Sequence, residues 1–410
     1  MERTILHCDL NNYFASVECL SHPEWKNVPM AVCGSVEERH GIVLAKNYPA
    51  KAFGIRTGDT VYQAKAKCPQ LIIADTHYRE YMRYSKIVRR IYEDYTDEIE
   101  PMGIDECWLD VTGSLRLFGG AMAIADTLRE RVKNETGLTI SVGVSFNKPF
   151  AKLASDMKKP DAVTVIGRDD FREKIWGLPA SDMIGIGKNT MRVLFAHGCR
   201  TIGDLARCDR EMVKKWLGKG GETLWIYANG YDDSPVMRSG AHIPMKSVSR
   251  GITTPVDMCD YDSVNDVVIE LTQEIGERLR EEDLLASGVS VVVRDSDLGW
   301  REFQRQLPQP TKSTREIICA AMRLFSERYS WEKPLRSVTV RAINLVPSCM
   351  PMQLGIFDGH EKRERLVALE SAVDVIRRRY GTHSVTSGTY LASRRITGRI
   401  AEPHQSFVVI

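Results

Sequence analysis

Three acidic side chains stand where the direction of the chain changes. Asp9 follows the apolar string ILHC and precedes NNYFASVE, while Asp105 and Glu106 sit between two apolar runs in MGIDECWLD. Three hard oxygen donors without a histidine among them suit Mg2+ or Mn2+ rather than zinc. Two such ions, roughly 3.5–4 Å apart, activate an attacking hydroxyl and hold the leaving oxygen of an in-line displacement. That is the chemistry of phosphoryl transfer, which needs positioning and charge neutralisation more than covalent steps. The same residues have a plainer account, Asp9 as a helix N-cap and Asp105-Glu106 as part of a turn.

For the three to meet, Asp9 must end a strand that lies beside the hairpin carrying the other two. Residues 4–10 read as a strand and 11–20 as a helix. Short strands follow at 30–32 and 41–45, then a helix at 60–67. A long helix at 78–95 carries Tyr81, Tyr84, Ile87, Val88, Ile91 and Tyr95 at helical intervals. Strands at 98–102 and 107–111 flank GIDE, with a helix at 121–136 and a strand at 138–144 beyond. This β-α-β-β-α-β order is that of a ferredoxin-like split βαβ sheet, which sets the first strand next to the hairpin.

A second unit begins near residue 167. DMIGIG precedes a helix at 189–197, another starts at 203, and 215–230 repeats a helix–glycine turn–helix theme. Residues 231–239 have linker composition. Strands at 247–251, 288–294, 300–307 and 337–345, with helices at 263–282 and 313–329, give βαββαβ again. Two small open sheets of one topology class are therefore expected. Residues 347–359 read as an exposed connector. A charged amphipathic helix follows at 360–380, with Leu366, Leu369, Val373 and Ile376 on one stripe.

Composition sets the outer bounds. With 410 residues, 43% hydrophobic and 27% charged, the chain has room for two to four folded units with real cores. A disordered chain, a collagen-like repeat and a small disulfide scaffold are excluded. No run approaches the ~18 apolar residues of a membrane span and no signal-peptide pattern leads the chain, so a soluble cytoplasmic protein is expected. The net charge of +2 hides an uneven distribution. Residues 257–283 hold ten acids and two bases, and 286–346 hold ten bases and six acids, a pattern that fits a basic face backed by an acidic one. The ten cysteines include no C-x-x-C pair, which favours reduced thiols over a zinc site.

Four separated motifs carry a resemblance. HCDLNNYFASVE at 7–18, KNYPAKAFGI at 46–55, MGIDECWLD at 102–110 and FNKPFAKLASDMKKPD at 146–161 together resemble the Y-family of lesion-bypass DNA polymerases, and its bacterial group in particular. The resemblance runs from about residue 3 to about residue 357. It implies an α+β right-hand polymerase with a ferredoxin-like palm (1–20 and 76–166), small fingers (21–75) and a helix-hairpin-helix thumb (167–233). A linker (234–244), a βαββαβ little finger (245–346) and a C-terminal segment (347–410) would follow. The implied activity is low-fidelity, template-directed addition of dNTPs to a primer 3′-OH in translesion synthesis, with two Mg2+ ions or Mn2+ in their place. The implied partners are primer-template DNA and dNTP, with the protein acting as a monomer away from membranes.

Site residues follow position by position from the same resemblance. Asp9, Asp105 and Glu106 would be metal ligands, with the backbone carbonyl of Leu10 a further donor. Phe14 matches the steric gate that excludes a ribose 2′-OH. Tyr48 and Lys51, together with Lys159, match residues that hold the triphosphate. The fingers motif usually reads NYEAR, so Lys51 stands where an arginine is expected, and a lysine cannot make a bidentate fork to phosphate; Lys46 would share its role. Gly103 stands where a serine is common. Gly185-Ile186-Gly187, ahead of a helix, resembles a helix-hairpin-helix whose backbone N–H groups and Lys188 hold a DNA phosphate without reading sequence. Gln353, Leu354, Ile356 and Phe357 in QLGIF resemble the bacterial sliding-clamp-binding motif. A ferredoxin-like nucleotidyl cyclase would also use two metals, but leaves the glycine hairpins and QLGIF without a role. A non-catalytic DNA- and clamp-binding factor leaves the three carboxylates unexplained.

Overall fold

The string Ile5–Leu10 (β1) is buried along its whole length in the computed structural model, which describes residues 3–36, 39, 41–241, 244–351, 360–381 and 384–386. A short run buried throughout fits the interior of a sheet. There β1 lies, second in neither direction from an edge but central in the order β5-β6-β1-β7-β8. Helix α1 (Tyr13–Ser21) follows it. Next come β2 (Met30–Cys33), β3 (Val43–Lys46), α2 (Tyr48–Ala52), α3 (Val61–Lys67) and β4 (Ile72–Ala74), whose strands form a separate small sheet. Helix α4 (Tyr78–Glu93) leads to the hairpin of β5 (Ile99–Met102) and β6 (Glu106–Asp110). The remaining elements are α5 (Leu115–Phe118), α6 (Ala121–Thr136), β7 (Ile140–Ser145), α7 (Lys148–Met157) and β8 (Val163–Ile166).

Strand β1 runs antiparallel to both β6 and β7, as the split βαβ order requires. Its even face (Leu6, Cys8, Leu10) joins the core built from α4 and α6, including Tyr81, Val88, Ile91, Ile124 and Leu128. Its odd face (Ile5, His7, Asp9) looks toward α7, with Ile5 packed on Ala151. Several short elements lie outside the sequence expectation, β8 and α7 among them. Strand β8 adds an edge parallel to β7, and its four residues are too few to signal a strand. Helix α7 is capped by the Asn147 side chain, which accepts from the Phe150 N–H at 2.9 Å. It lies so close to β7 that a Cβ on Gly143 would come 1.9 Å from the Ala151 carbonyl oxygen and 2.5 Å from the Ser155 nitrogen.

Helices α8 (Phe171–Ile175), α9 (Lys188–Ala196), α10 (Ile202–Arg207) and α11 (Arg210–Ala228) share a core with Phe150 and Leu153. Gly218, at φ 66°, breaks α11 into two helices at the expected glycine turn. The segment with linker composition is tied down along much of its length. Arg3 donates to the carbonyls of Asp233 (2.9 Å) and Ser234 (2.8 Å), Val236 is buried, and the Met237 N–H donates to Glu100 at 3.0 Å.

The described residues form two units, and the second, to which 35–41 are also assigned, takes up again at residue 244. It contains β9 (Ser247–Met258), α12 (Tyr261–Glu281), β10 (Leu284–Asp295), β11 (Trp300–Thr311), α13 (Thr314–Arg328) and β12 (Leu335–Pro347). The element order matches the first sheet, but the strand order β11-β10-β12-β9 does not. Here the first strand is an edge, whereas β1 is interior. A hairpin can join a sheet through either of its strands: β6, the second, does so in one unit, and β10, the first, in the other. The expectation of a single topology class therefore holds for element order alone.

Helix α14 (His360–Tyr380) matches its expected bounds, but of its expected stripe Leu366 and Val373 alone are half-buried. Leu369 and Ile376 point outward, while Glu370 and Asp374 turn inward. The reason is Arg280 of α12, whose guanidinium grips Asp374 bidentately at 2.6 and 3.0 Å and reaches Glu370 at 3.0 Å. Glu370 in turn accepts from the first N–H groups of α13, Thr314 at 2.9 Å and Arg315 at 3.1 Å. Buried ion pairs therefore seat this helix alongside the inward half of its apolar stripe. Gln353, Leu354, Ile356 and Phe357 lie outside the described residues.

Gly143→Ala tests the α7–β7 contact. Overpacking of this kind costs about 1–3 kcal/mol or more, so the variant should melt several degrees lower than the parent in a thermal unfolding scan.

Candidate active site

The register of β1 and β6 pairs Asp9 directly with Glu106. Residues so paired carry their side chains on one face with Cβ atoms roughly 4.5–5.5 Å apart, and like charges there repel. The tip of the β5–β6 hairpin folds back on the end of β1, where the Leu10 N–H donates to the Asp105 carbonyl at 3.0 Å. The three carboxylates expected to meet are therefore neighbours. Their surroundings set them apart. Burial pushes the Asp9 carboxyl up to about 7, against the opposing charge of Lys159 and with a further rise from Glu106. Asp105 is also raised, first by burial and then by Glu106. Burial acts the same way on Glu106, yet His7 and Lys152 together hold it down at about 2.

Positive charge comes from one helix and the loop after it. Lys152 of α7 donates to Glu106 Oε2 at 2.6 Å. Lys159 donates to Asp9 Oδ2 at 2.7 Å and lies 2.9 Å from Asp156. His7, fully buried beneath the pair, bonds Ser155 Oγ through Nδ1 at 2.8 Å, while its Nε2 stands 3.5 Å from Glu106, too far for a good hydrogen bond. Burial lowers its pKa, against the upward pull of Glu106. Sequence reasoning singled out Lys159 but not Lys152, Asp156 or His7. The signal was present: Lys152 and Asp156 fall at i and i+4, the spacing of one helical face, inside a motif already recognised.

An all-oxygen donor set fits a hard divalent cation. Among the described residues no group of three or more His, Cys, Asp or Glu side chains is gathered closely enough to hold an ion. Lys152 and Lys159 occupy the inner oxygens of two of the three carboxylates, and they mark where these acids already require positive charge.

Of the other residues expected at the site, Tyr48 stands near this centre. Tyr48 opens α2, half-buried, its phenol raised by burial and close enough to feel the charges of Lys159 and Asp9. Lys51 is not brought to the carboxylates: it is exposed, with its Nζ 5.8 Å from the centre of the Tyr48 ring. Lys46 donates to Thr57 Oγ1 at 3.1 Å. Phe14 of α1 is half-buried and lies flat on Tyr81, ring centres 4.2 Å apart and planes 9° from parallel. Tyr13 is core. Away from these, Gly185 adopts φ +87°, Gly187 precedes α9, and Lys188 is its first residue, in a first turn without a side-chain cap. An open concavity beside it is lined by Lys188, Arg192 and the exposed Phe195.

Comparison with known proteins adds independent findings. Residues 8–156 match the model of the impB/mucB/samB family, and 245–354 match that family's C-terminal domain. The chain is 48% identical over 394 residues to a DNA polymerase IV of Acetivibrio thermocellus, covering 96% of this chain and 99% of that one. It is 34% identical to a DNA polymerase IV of Clostridium acetobutylicum, covering 95% and 99%. Among solved structures, a Y-family DNA polymerase chimera superposes with a TM-score of 0.74 at 21% identity, over 84% of this chain and 99% of that one.

The raised Asp9 carboxyl has a thermodynamic signature. Folding lifts it from 3.8 to about 7, so the folded state binds the extra proton and stability falls as pH rises through that window. Asp9→Asn cannot titrate. In chelator, its melting temperature should draw ahead of the parent's between pH 5 and pH 8, by no more than about 4 kcal/mol in stability.

Proposed function

Because the chain belongs to the Y-family of DNA polymerases, we propose that it is a template-directed DNA polymerase of low fidelity that copies damaged templates. It adds dNTPs to the 3′-OH of a primer and releases pyrophosphate. The observation that carries this reading is the Asp9–Glu106 pair, set opposite each other on adjoining strands with Asp105 at the next turn. Asp9, Asp105 and Glu106, with the Leu10 carbonyl, would hold two Mg2+ ions, or Mn2+. When bound, these supply charge neutralisation for the in-line displacement and lower the pKa of the attacking hydroxyl. The chain's own residues do the positioning. Lys159, released from Asp9, turns to the triphosphate beside Tyr48 and Lys51. As a point charge Lys51 grips phosphate less specifically than an arginine fork, and Lys46 shares the load. Phe14 occupies the space a 2′-OH needs.

The hand follows from the same reading: palm 1–20 and 76–166, fingers 21–75, thumb 167–233, linker 234–244 and little finger 245–346. Backbone N–H groups around Gly185 and Gly187, with Lys188, hold a DNA phosphate at the start of α9. Gln353, Leu354, Ile356 and Phe357 anchor the protein to a bacterial sliding clamp, and the polymerase acts as a cytoplasmic monomer. Among the described residues no helix is long and apolar enough to cross a membrane.

Primer extension tests the catalytic assignment. Asp105→Ala and Glu106→Ala should each lower nucleotide addition on the order of 10²-fold or more while primer-template binding persists; near-parental extension by either variant overturns the two-metal site. For the clamp, alanine at Gln353, Leu354 and Phe357 together should leave synthesis on bare primer-template unchanged and abolish stimulation by a loaded clamp. Loss of thermal stability, or full stimulation, would remove that assignment.

A further inference from the structure

Glu18 is a carboxylate buried to 4% exposure on α1, one helical turn beyond Phe14. Burying such a group is costly unless its oxygens are satisfied. Two donors from the start of α4 satisfy them. His77, which precedes α4, approaches both oxygens through Nδ1 at 3.0 and 3.1 Å. The Tyr81 hydroxyl donates to Glu18 Oε1. The Tyr81 ring, fully buried, is the surface on which Phe14 lies, and Tyr78 meets Phe14 edge-on with ring centres 5.8 Å apart. Phe14 and Glu18 are four residues apart, on one face of the helix. A single helix face thus presents a ring and, one turn on, the acceptor that fixes the ring beneath it.

We propose that Glu18 is a positioning residue for sugar selection, acting through Tyr81 to fix where the Phe14 ring stands. The inference rests on the reading of Phe14 as the group that excludes a 2′-OH. Two stacked rings slide over one another at little cost, because stacking is weakly directional in the ring plane. A ring that slides by a few tenths of an ångström is a poor barrier to one hydroxyl group. The hydrogen bond from Tyr81 to a carboxylate that is itself held by His77 removes that freedom. Neither Glu18 nor Tyr81 need touch the nucleotide.

The test compares single-nucleotide insertion of dCTP and rCTP opposite template G by the full-length chain. Tyr81→Phe deletes one oxygen and keeps the ring, so it should fold as the parent does. Glu18→Leu removes the acceptor, and Glu18→Gln keeps a carbonyl able to accept from Tyr81. Tyr81→Phe and Glu18→Leu should each lose deoxyribose discrimination by on the order of 10-fold, with dCTP kcat/KM within about threefold of the parent, and Glu18→Gln should restore it. In Phe14→Ala, adding Tyr81→Phe should cause no further loss, because the pair acts as one unit. Parental discrimination in Tyr81→Phe overturns the role of the anchor. So does a fall in dCTP efficiency that matches any change with rCTP, since that marks a merely structural role. Unchanged discrimination in Phe14→Ala instead overturns the underlying reading of the gate.

Discussion

Two carboxylates placed opposite each other on hydrogen-bonded strands repel, and burial makes the repulsion stronger by removing water. Asp9 and Glu106 are in that position at the centre of the larger sheet. The surrounding architecture relieves this tension. Helix α7 must lie close enough for Lys152 to reach Glu106, which requires a residue without a side chain at position 143 of β7. The loop after α7 must bring Lys159 to Asp9. The two acids respond differently, one held ionised and the other pushed up to about 7, although they are a residue pair on one ladder. Such divergence between neighbouring acids is common where charge is to be exchanged for a ligand's.

Much of this is legible in the sequence, for physical reasons. β1 is an apolar-rich string, and long helices such as α4 and α6 carry their periodicity over four turns. The hairpin tip was marked by glycine and two acids between apolar runs. What stayed hidden was short or depended on tertiary contact. β8 is only four residues long, and α7 mixes lysines with small residues because it packs on both the sheet and the α8–α11 core. Lys152 looked like any surface lysine until the register of β1 and β6 placed a carboxylate beside it.

The strand order of the second sheet was hidden for a different reason. Pattern and spacing report which segments are strands, not which strand of a hairpin faces its partner, and the two units answer that question oppositely. The residues proposed to handle the nucleotide show the reverse case: Phe14, Tyr48 and Lys51 are singled out by resemblance alone, since a lone aromatic or lysine carries no signal of its own. Lys51 remains the least integrated of them, exposed over the Tyr48 ring.

The seating of α14 bears on how the polypeptide tolerates shortening. Arg280 is buried to 7% side-chain exposure, and both acids that neutralise it come from that one helix. A chain ending at residue 359 would keep every strand and helix of the second unit's sheet layer, yet leave a guanidinium without a counter-charge. Stranding one partner of a buried pair costs about 3–5 kcal/mol, a large share of a typical domain's margin. The C-terminal helix is thus an integral part of the unit it closes.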